Sequence, residues 1–380
     1  MLLSLALLAM LAVFLLIWGV EPDAYRARIE RAATQALGRS VQLTGALHWR
    51  PGLNFQIESQ GGRIANAEGF GSLPLASWQS LRLGIALRPL LDDRLVIDRI
   101  ELLGMRLNLA RNAAGGNWRL PSSGPQAPDP RFALSVGRII LRDGAVAFSD
   151  ETSGRAWSAT QLALDVKLPG LLDVPVLQFS DVSMQARLGG PPLQQAGIAV
   201  QLRAPRIDVD RQRLHVQLPE WQVMWDDARL DGAISAGFGD APAAEGSLRV
   251  QAPSLRRLLQ SVSVAPPATR DAAALGPMDL GTQFKSGKGG IELTHLGLKL
   301  DSTRVEGAMR FATLAPVSVR FELSADEVDV DRYLSPKDQP GKPLSLPLAQ
   351  LQGLDAKGVL VLRRARVAGA AAREIRIDVD

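Results

Sequence analysis

The chain contains no cysteine. That absence excludes disulfides, thiolate metal sites, iron–sulfur clusters and a cysteine nucleophile together. Histidine is scarce: His48, His215 and His295 lie far apart and share no ligand spacing. A zinc site or a catalytic triad therefore has almost nothing to build on. Aromatic residues make up only 5% of 380, so the apolar surface is mainly aliphatic. Lysine supplies 7 of the 43 basic residues and arginine the other 36, interleaved with 39 acids. A net charge of +4 spread in this way lacks the clustered footprint of a nucleic-acid binder, and no nucleic-acid partner is expected.

Recognisable reaction motifs are missing too: there is no EF-hand loop, G-x-S-x-G, H-E-x-x-H or P-loop. Asp208 with Asp210, and Asp329 with Asp331, come nearest to paired carboxylates. Two apart in a strand, they share a face and could serve as acid and base or hold Ca²⁺. An ordinary solvated face explains them more simply, because alternation puts charges there anyway. Asn117-Trp118 after Gly115-Gly116 allows a sugar-binding aromatic, but a turn whose Trp folds back on a sheet is the simpler account. No catalytic residue, metal or cofactor is expected, and the chain reads as a non-enzyme.

What is present is a large apolar share, 46% against 22% charged, which rules out disorder as the main state. At this length two or three domains are the default expectation. Residues 1–20, MLLSLALLAMLAVFLLIWGV, carry no charge and no proline. Twenty helical residues span about the 30 Å hydrocarbon core of a bilayer. Twelve of them are Leu, Ile, Val or Phe, among them Leu7, Leu11, Phe14 and Leu16, with Trp18 as an interfacial aromatic. These favour insertion by roughly 4 to 7 kcal/mol. A cleaved signal peptide would want a basic start and an A-x-A-like site. Neither is seen before Glu21-Pro22-Asp23, so an uncleaved membrane anchor is expected. The absence of Lys or Arg before the run, with Arg26, Arg28 and Arg31 after it, runs against a simple positive-inside pattern.

Residues 21–38 read as a short juxtamembrane helix, opened by Pro22 and closed by Gly38. Tyr25, Ile29, Ala33 and Ala36 fall on one face. The helix either lies on anionic headgroups or caps the domain that follows, and the two roles can coexist.

Beyond Gly38 the dominant period is two, which predicts strands with one apolar face. Leu81, Leu83, Ile85 and Leu87 alternate with Arg82, Gly84, Ala86 and Arg88, and Leu95 and Ile97 continue the style. Leu162, Leu164 and Val166, then Val319, Phe321 and Leu323, repeat it later. Asp143-Gly144, Asp231-Gly232, Glu306-Gly307 and Gly115-Gly116-Asn117 are read as turn signals. Short turns imply antiparallel neighbours, because a parallel crossover needs a dozen or more residues. About twenty strands result. Two places look helical: Ser254–Gln260, extending to about 262, and the single turn Asp331–Leu334. Pro/Gly/Ala-rich stretches at 121–130, 189–197, 239–246 and 263–277 read as loops.

The expected organisation is an anchor (1–20), a helix (21–38), an N-terminal β module (39–120), a linker (121–130) and an extended sheet (131–380). The fold class is mainly β, with a long, curved antiparallel sheet. So many strands cannot close into one compact barrel. They must pack as sandwiches or curl into an open trough, and composition does not choose between these. In the trough, the apolar residues above would line a groove for acyl chains. The chain also stops inside a strand pattern, Arg376-Ile377-Asp378-Val379-Asp380, like the earlier Arg206–Asp210, so these residues are expected to be the front part of a longer protein.

Several short stretches, taken in order, resemble one family. They are the apolar run, Tyr25-Arg26-Ala27-Arg28-Ile29-Glu30, Ala36-Leu37-Gly38-Arg39-Ser40-Val41, Thr44-Gly45, Arg88-Pro89-Leu90-Leu91 and Gly116-Asn117-Trp118. Later come Leu255-Arg256-Arg257-Leu258-Leu259, Leu300–Gly307, Val330-Asp331-Arg332-Tyr333-Leu334 and Leu354–Gly358. This order is similar to that of the AsmA family of bacterial envelope proteins, over essentially the whole chain. The resemblance implies an inner-membrane anchor, a periplasmic β-rich body and a role in outer-membrane lipid homeostasis. It also implies a fold similar to chorein-like bridge proteins, which carry lipids along a hydrophobic groove. The partners implied are phospholipid acyl chains and the inner membrane. A periplasmic assembly or scaffold factor, holding outer-membrane or other envelope proteins by contacts at a sheet edge, is the alternative. The family has no catalytic residues to carry over.

Overall fold

A computed structural model describes residues 23, 26–50, 54–86, 88, 94–119, 133–168, 174–193, 197–314, 317–335, 355–367 and 369–380. The expected anchor, with Leu7, Leu11, Phe14, Leu16 and Trp18, lies outside the described residues, as do Leu87 and the stretch 121–130. Among the described residues no helix is long and apolar enough to cross a membrane.

Helix α1 (Arg26–Leu37) ends where Gly38 takes φ +61°, the left-handed cap that glycine adopts without steric cost. Its polar side chains serve the backbone beyond it. Glu30 accepts from the Leu43 N–H at 2.7 Å, Thr34 from the Val41 N–H at 3.0 Å, and Arg26 donates to the Gly45 carbonyl at 2.7 Å. Those bonds satisfy groups at the start of the sheet, so the helix caps it.

The chain divides into two compact units, Met1–Pro191 and Pro192–Asp380. The break falls in the proline-rich stretch 189–197 and not in 121–130.

In the first unit the strands are β1 (Val41–Gln42), β2 (Leu47–Arg50), β3 (Asn54–Ser59), β4 (Gly62–Ile64), β5 (Ala76–Trp78) and β6 (Ser80–Ala86). β7 (Arg94–Leu103), β8 (Arg106–Asn112), β9 (Gly115–Gly116), β10 (Ala133–Asp150), β11 (Arg155–Lys167) and β12 (Val176–Gly189) follow. β2, β3, β6 and β7 pair antiparallel in that order, as do β10, β11 and β12. β10 joins the two groups by pairing in parallel with β7 and then with β8. The chain on both sides of 121–130 thus belongs to one sheet. The expectation of purely antiparallel pairing is corrected here: residues 117–132 are long enough for a parallel crossover.

The second unit holds β13 (Ile198–Asp210), β14 (His215–Trp225), β15 (Ala228–Gly237), β16 (Ala243–Ala252), helix α2 (Leu255–Ser261), β17 (Met278–Gly287) and β18 (Gly290–Leu300). β19 (Thr303–Leu314), β20 (Val317–Asp329), helix α3 (Val330–Tyr333), β21 (Asp355–Val367) and β22 (Ala370–Val379) complete it. Each strand pairs with the next, antiparallel except for the parallel pair β20–β21. Ser254 caps α2 as expected, accepting from the Arg257 N–H.

Three of the four turn signals are not turns. Asp143-Gly144, Asp231-Gly232 and Glu306-Gly307 all lie inside strands. Asp143 has φ +50° at a register shift between β10 and β11, a bulge that keeps the strand going while twisting it. Gly232 stands opposite Trp221, and a Cβ there would run into the Ser247 carbonyl oxygen. Close approach, not reversal, requires that glycine. Only Gly115-Gly116 forms a hairpin.

Candidate functional site: the apolar sheet faces

Cross-strand partners share a face, so the register states which side chains line up. In the first unit Ile57, Leu83, Ile100, Ile139 and Val166 form one unbroken row over five neighbouring strands. The next row on that face runs Ser59, Leu81, Leu102, Leu141, Leu164 and Met184. A register shift at Gly84/Ile85 adds an extra residue in β7, so Ile85 faces Ile97 and both stay on the same side. Leu162, two residues from Leu164, joins them opposite Gly144. Leu81, Leu83, Ile85, Ile97, Leu162, Leu164 and Val166 are therefore brought onto one face. Leu95 lies in β7 opposite Leu134, with only its backbone place described.

The opposite face of this sheet is an ion ladder. Arg82 reaches Glu58 at 3.2 Å and Glu101 at 3.7 Å, Arg99 reaches Glu101 at 3.1 Å, and Arg138 clamps Asp165 at 2.6 Å. The guanidinium of Arg82 holds the Glu58 carboxyl below its usual range, and Arg138 does the same to Asp165.

The second unit repeats the division at greater length. Leu202, Val223, Leu230, Val250, Leu280, Leu298, Val305, Ala325, Leu362 and Ile375 are successive cross-strand partners from β13 to β22. Nine inter-strand spacings of about 4.8 Å give this row a path of roughly 43 Å. Phe284, Leu293, Met309, Phe321, Gly358 and Val379 make a shorter parallel row. Val319, Phe321 and Leu323 thus sit together on the apolar face, opposite Phe311, Met309 and Gly307. The other face carries pairs such as Arg249–Asp279 at 2.7 Å and Arg229–Asp231 at 2.9 Å. Asp208 belongs to such a pair with Arg206 at 2.8 Å, and Asp210 accepts from the Gln212 and Arg213 N–H groups of the following turn.

Most side chains of the long row are only half-buried; Val250, Ala325 and Leu362 are buried. Around Ala325, Leu362 and Ala365 pack Val305, Val328, Leu360, Val367 and Ile375, all from β19 to β22. Among the described residues the members of that cluster all come from the same sheet. One cavity of about 630 Å³ is lined by polar-face groups including Gln217, Ser235, Glu245, Gln283 and Lys285, together with Ile234 and Phe284 of the apolar rows.

One margin of the second apolar face is covered. Trp225 donates its indole N–H to Ser261 of α2 at 3.0 Å. The loop after α2 is tied down by Asp301, which accepts from the Leu275 and Gly276 N–H groups and from the Tyr333 hydroxyl. Arg332 pairs with Asp271 at 2.7 Å, and Arg256 donates to Thr269 at 2.7 Å. Burial first, then the Asp301 carboxylate, pushes the Tyr333 phenol up to about 12. Residue periodicity did not reveal this cap. Its local signals were the Ser254 helix start and the helical turn at Asp331–Leu334.

Asn117, expected only as part of a turn, is fully buried. It accepts from the Ala110 N–H at 2.9 Å and donates to the Asn108 carbonyl at 2.8 Å and the Asn66 side chain at 2.9 Å. Trp118 folds back on Phe148 at a centroid distance of 5.9 Å, and Phe148 stacks on Trp157 at 5.5 Å.

The stretches that suggested a family thus meet in built structure: Gly116-Asn117-Trp118 in the first unit, and Leu255–Leu259, Asp301 and Val330–Leu334 in the cap of the second. The model of the AsmA family matches residues 1–200, more than half of the chain. The chain belongs to the AsmA family. No curated protein matches it. Among the described residues of this AsmA family chain no group of three or more His, Asp or Glu is placed to hold a metal ion.

Proposed function

We propose that this AsmA family protein binds phospholipid by its acyl chains on the apolar sheet faces and conducts it, as a non-enzymatic envelope protein supporting outer-membrane lipid homeostasis. Residues 1–20 hold it in the bacterial inner membrane as a single span, and the bulk of the chain stands in the periplasm. The observation that carries this reading is the ten-strand apolar row from Leu202 to Ile375. A row of half-buried aliphatic side chains, backed by ion pairs on the other face, suits hydrocarbon better than water or a polar ligand.

Phe321→Asp and Ile85→Asp test it. On an open face the new carboxylate meets water in the lipid-free protein but opposes an acyl chain, because an uncompensated polar group in hydrocarbon costs several kcal/mol. Folded protein that has lost its co-purified phospholipid is expected. Folded protein with an undiminished phospholipid content overturns the reading. Unfolding of both variants points instead to a packed sandwich, since a buried unpaired charge destabilises by about 3 to 5 kcal/mol. A scaffold role acting through sheet edges would leave lipid content unaffected by either change.

A further inference from the structure

The two margins of the second apolar face differ in chemistry. One is closed by α2, the loop 263–277 and α3, and its cations are used inside that cap. Arg256 bonds Thr269 and the Ala274 carbonyl, Arg257 pairs with Asp227 at 2.9 Å, and Arg332 pairs with Asp271. Across the sheet, the opposite margin consists of the turns after β13, β15 and β17. There Phe238 is 63% and Leu214 is 54% exposed, held side by side by the Phe238 N–H donating to the Leu214 carbonyl at 2.8 Å. The next turn is Gly287-Lys288-Gly289-Gly290, and the Arg310 guanidinium lies beside Gly289. Among the described residues neither Lys288 nor Arg310 forms an ion pair.

We infer that phospholipid binds the second unit in one orientation, its acyl chains along the apolar rows and its phosphate at the open margin near Lys288 and Arg310. The inference rests on the proposed acyl-chain binding and adds a direction to it. A phosphodiester needs water or a cation, and its desolvation is opposed at the capped margin, where the cations already have partners. At the open margin Lys288 forms no ion pair, the Arg310 guanidinium reaches the same turn from the polar face, where Glu292 is its cross-strand neighbour, and exposed Phe238 and Leu214 supply an apolar lip for the part of the lipid between headgroup and tail. The occupant is therefore an intact anionic or zwitterionic phospholipid.

The cysteine-free chain gives each introduced cysteine a unique label. Full-length Asp240→Cys (open margin), Val264→Cys (capped margin) and Ile234→Cys (apolar face) carry a bimane fluorophore. They are loaded from vesicles containing phosphatidylcholine with a nitroxide on the headgroup or near the end of an acyl chain. The headgroup nitroxide is expected to quench Asp240→Cys at least twofold more than Val264→Cys, and the chain nitroxide to quench Ile234→Cys. Equal quenching at the two margins, or stronger quenching at Val264→Cys, with Ile234→Cys still quenched by the chain nitroxide, overturns the orientation and leaves acyl-chain binding intact. No quenching at Ile234→Cys removes acyl-chain binding and the orientation with it. As an independent readout, Lys288→Glu with Arg310→Glu should lower uptake of phosphatidylglycerol severalfold, and unchanged uptake counts against the open margin.

Discussion

The Tyr333 hydroxyl donates to the Asp301 carboxylate at 2.7 Å, which ties helix α3 to the loop that closes one margin of the second sheet. Asp301 also holds the Leu275 and Gly276 N–H groups, so one carboxylate joins three segments. Tyr333→Phe removes one of these bonds and should cost about 1 kcal/mol. Asp301→Ala strips all three and should cost about 2 to 3 kcal/mol. Denaturant midpoints at constant m measure both. Because the folded-state phenol is raised from its ordinary value to about 12, its contribution is full below about pH 10 and fades between 10 and 12. In Tyr333→Phe that part of the alkaline loss of stability should disappear.

Asn117 is the buried polar centre of the first unit. Asn117→Ala leaves the Ala110 N–H and the Asn108 carbonyl without their partner, at an expected cost of about 2 to 3 kcal/mol. Asn117→Asp keeps the acceptor for Ala110 but sets a carboxylate against the Asn108 carbonyl and Asn66 Oδ1, and should be no more stable than the alanine variant. A full rescue by aspartate, seen as a wild-type melting temperature, would contradict the assigned donor roles.

Acidification should weaken the sheets from their polar faces. Asp165, held down by Arg138, and Asp279, held down by Arg249, have depressed carboxyl groups. Such groups contribute stability above their unfolded value near 4, and lose it as pH falls further through the folded value. Each pair is partly exposed and screened, so single contributions are small and the effect is their sum. Urea midpoints between pH 6 and pH 3 should decline chiefly below about pH 4. Arg138→Gln should flatten the decline slightly, and a steeper decline in that variant would reverse the sign of the argument.

The anchor is testable apart from the sheets. With residues 1–20 retained, the protein should stay in membranes after an alkaline carbonate wash. Protease added to the outside of spheroplasts should degrade residues from about 40 onward. Release on osmotic shock, with a mature amino terminus beyond Gly19, would show cleavage instead.

Much of the β architecture was legible because a sheet with one wet face writes its period directly into the chain. Leu81, Leu83 and Ile85 alternate with polar or small neighbours, and so do Val319, Phe321 and Leu323. Their shared faces follow from the strand alone. Ser254 announced α2, and Gly38 the end of α1, because caps are local chemistry.

What the chain could not announce is which strand lies beside which. Asp231-Gly232 has turn composition, yet it sits mid-strand, where the Ser247 carbonyl of the neighbouring strand crowds the glycine. Parallel pairing of β10 with β7, and of β21 with β20, depends on where a crossover returns, and alternation is the same in either direction. Residues 202, 223, 230 and 250 become one apolar row only through register, and the cap gathers residues 225, 261, 301 and 333 from distant segments. Local sequence determined the strands, their two faces and the helix ends, since those depend on neighbours one to four residues away. Tertiary structure decided the rows, the covered margin and the place of Asn117, since these depend on contacts between residues far apart in the chain.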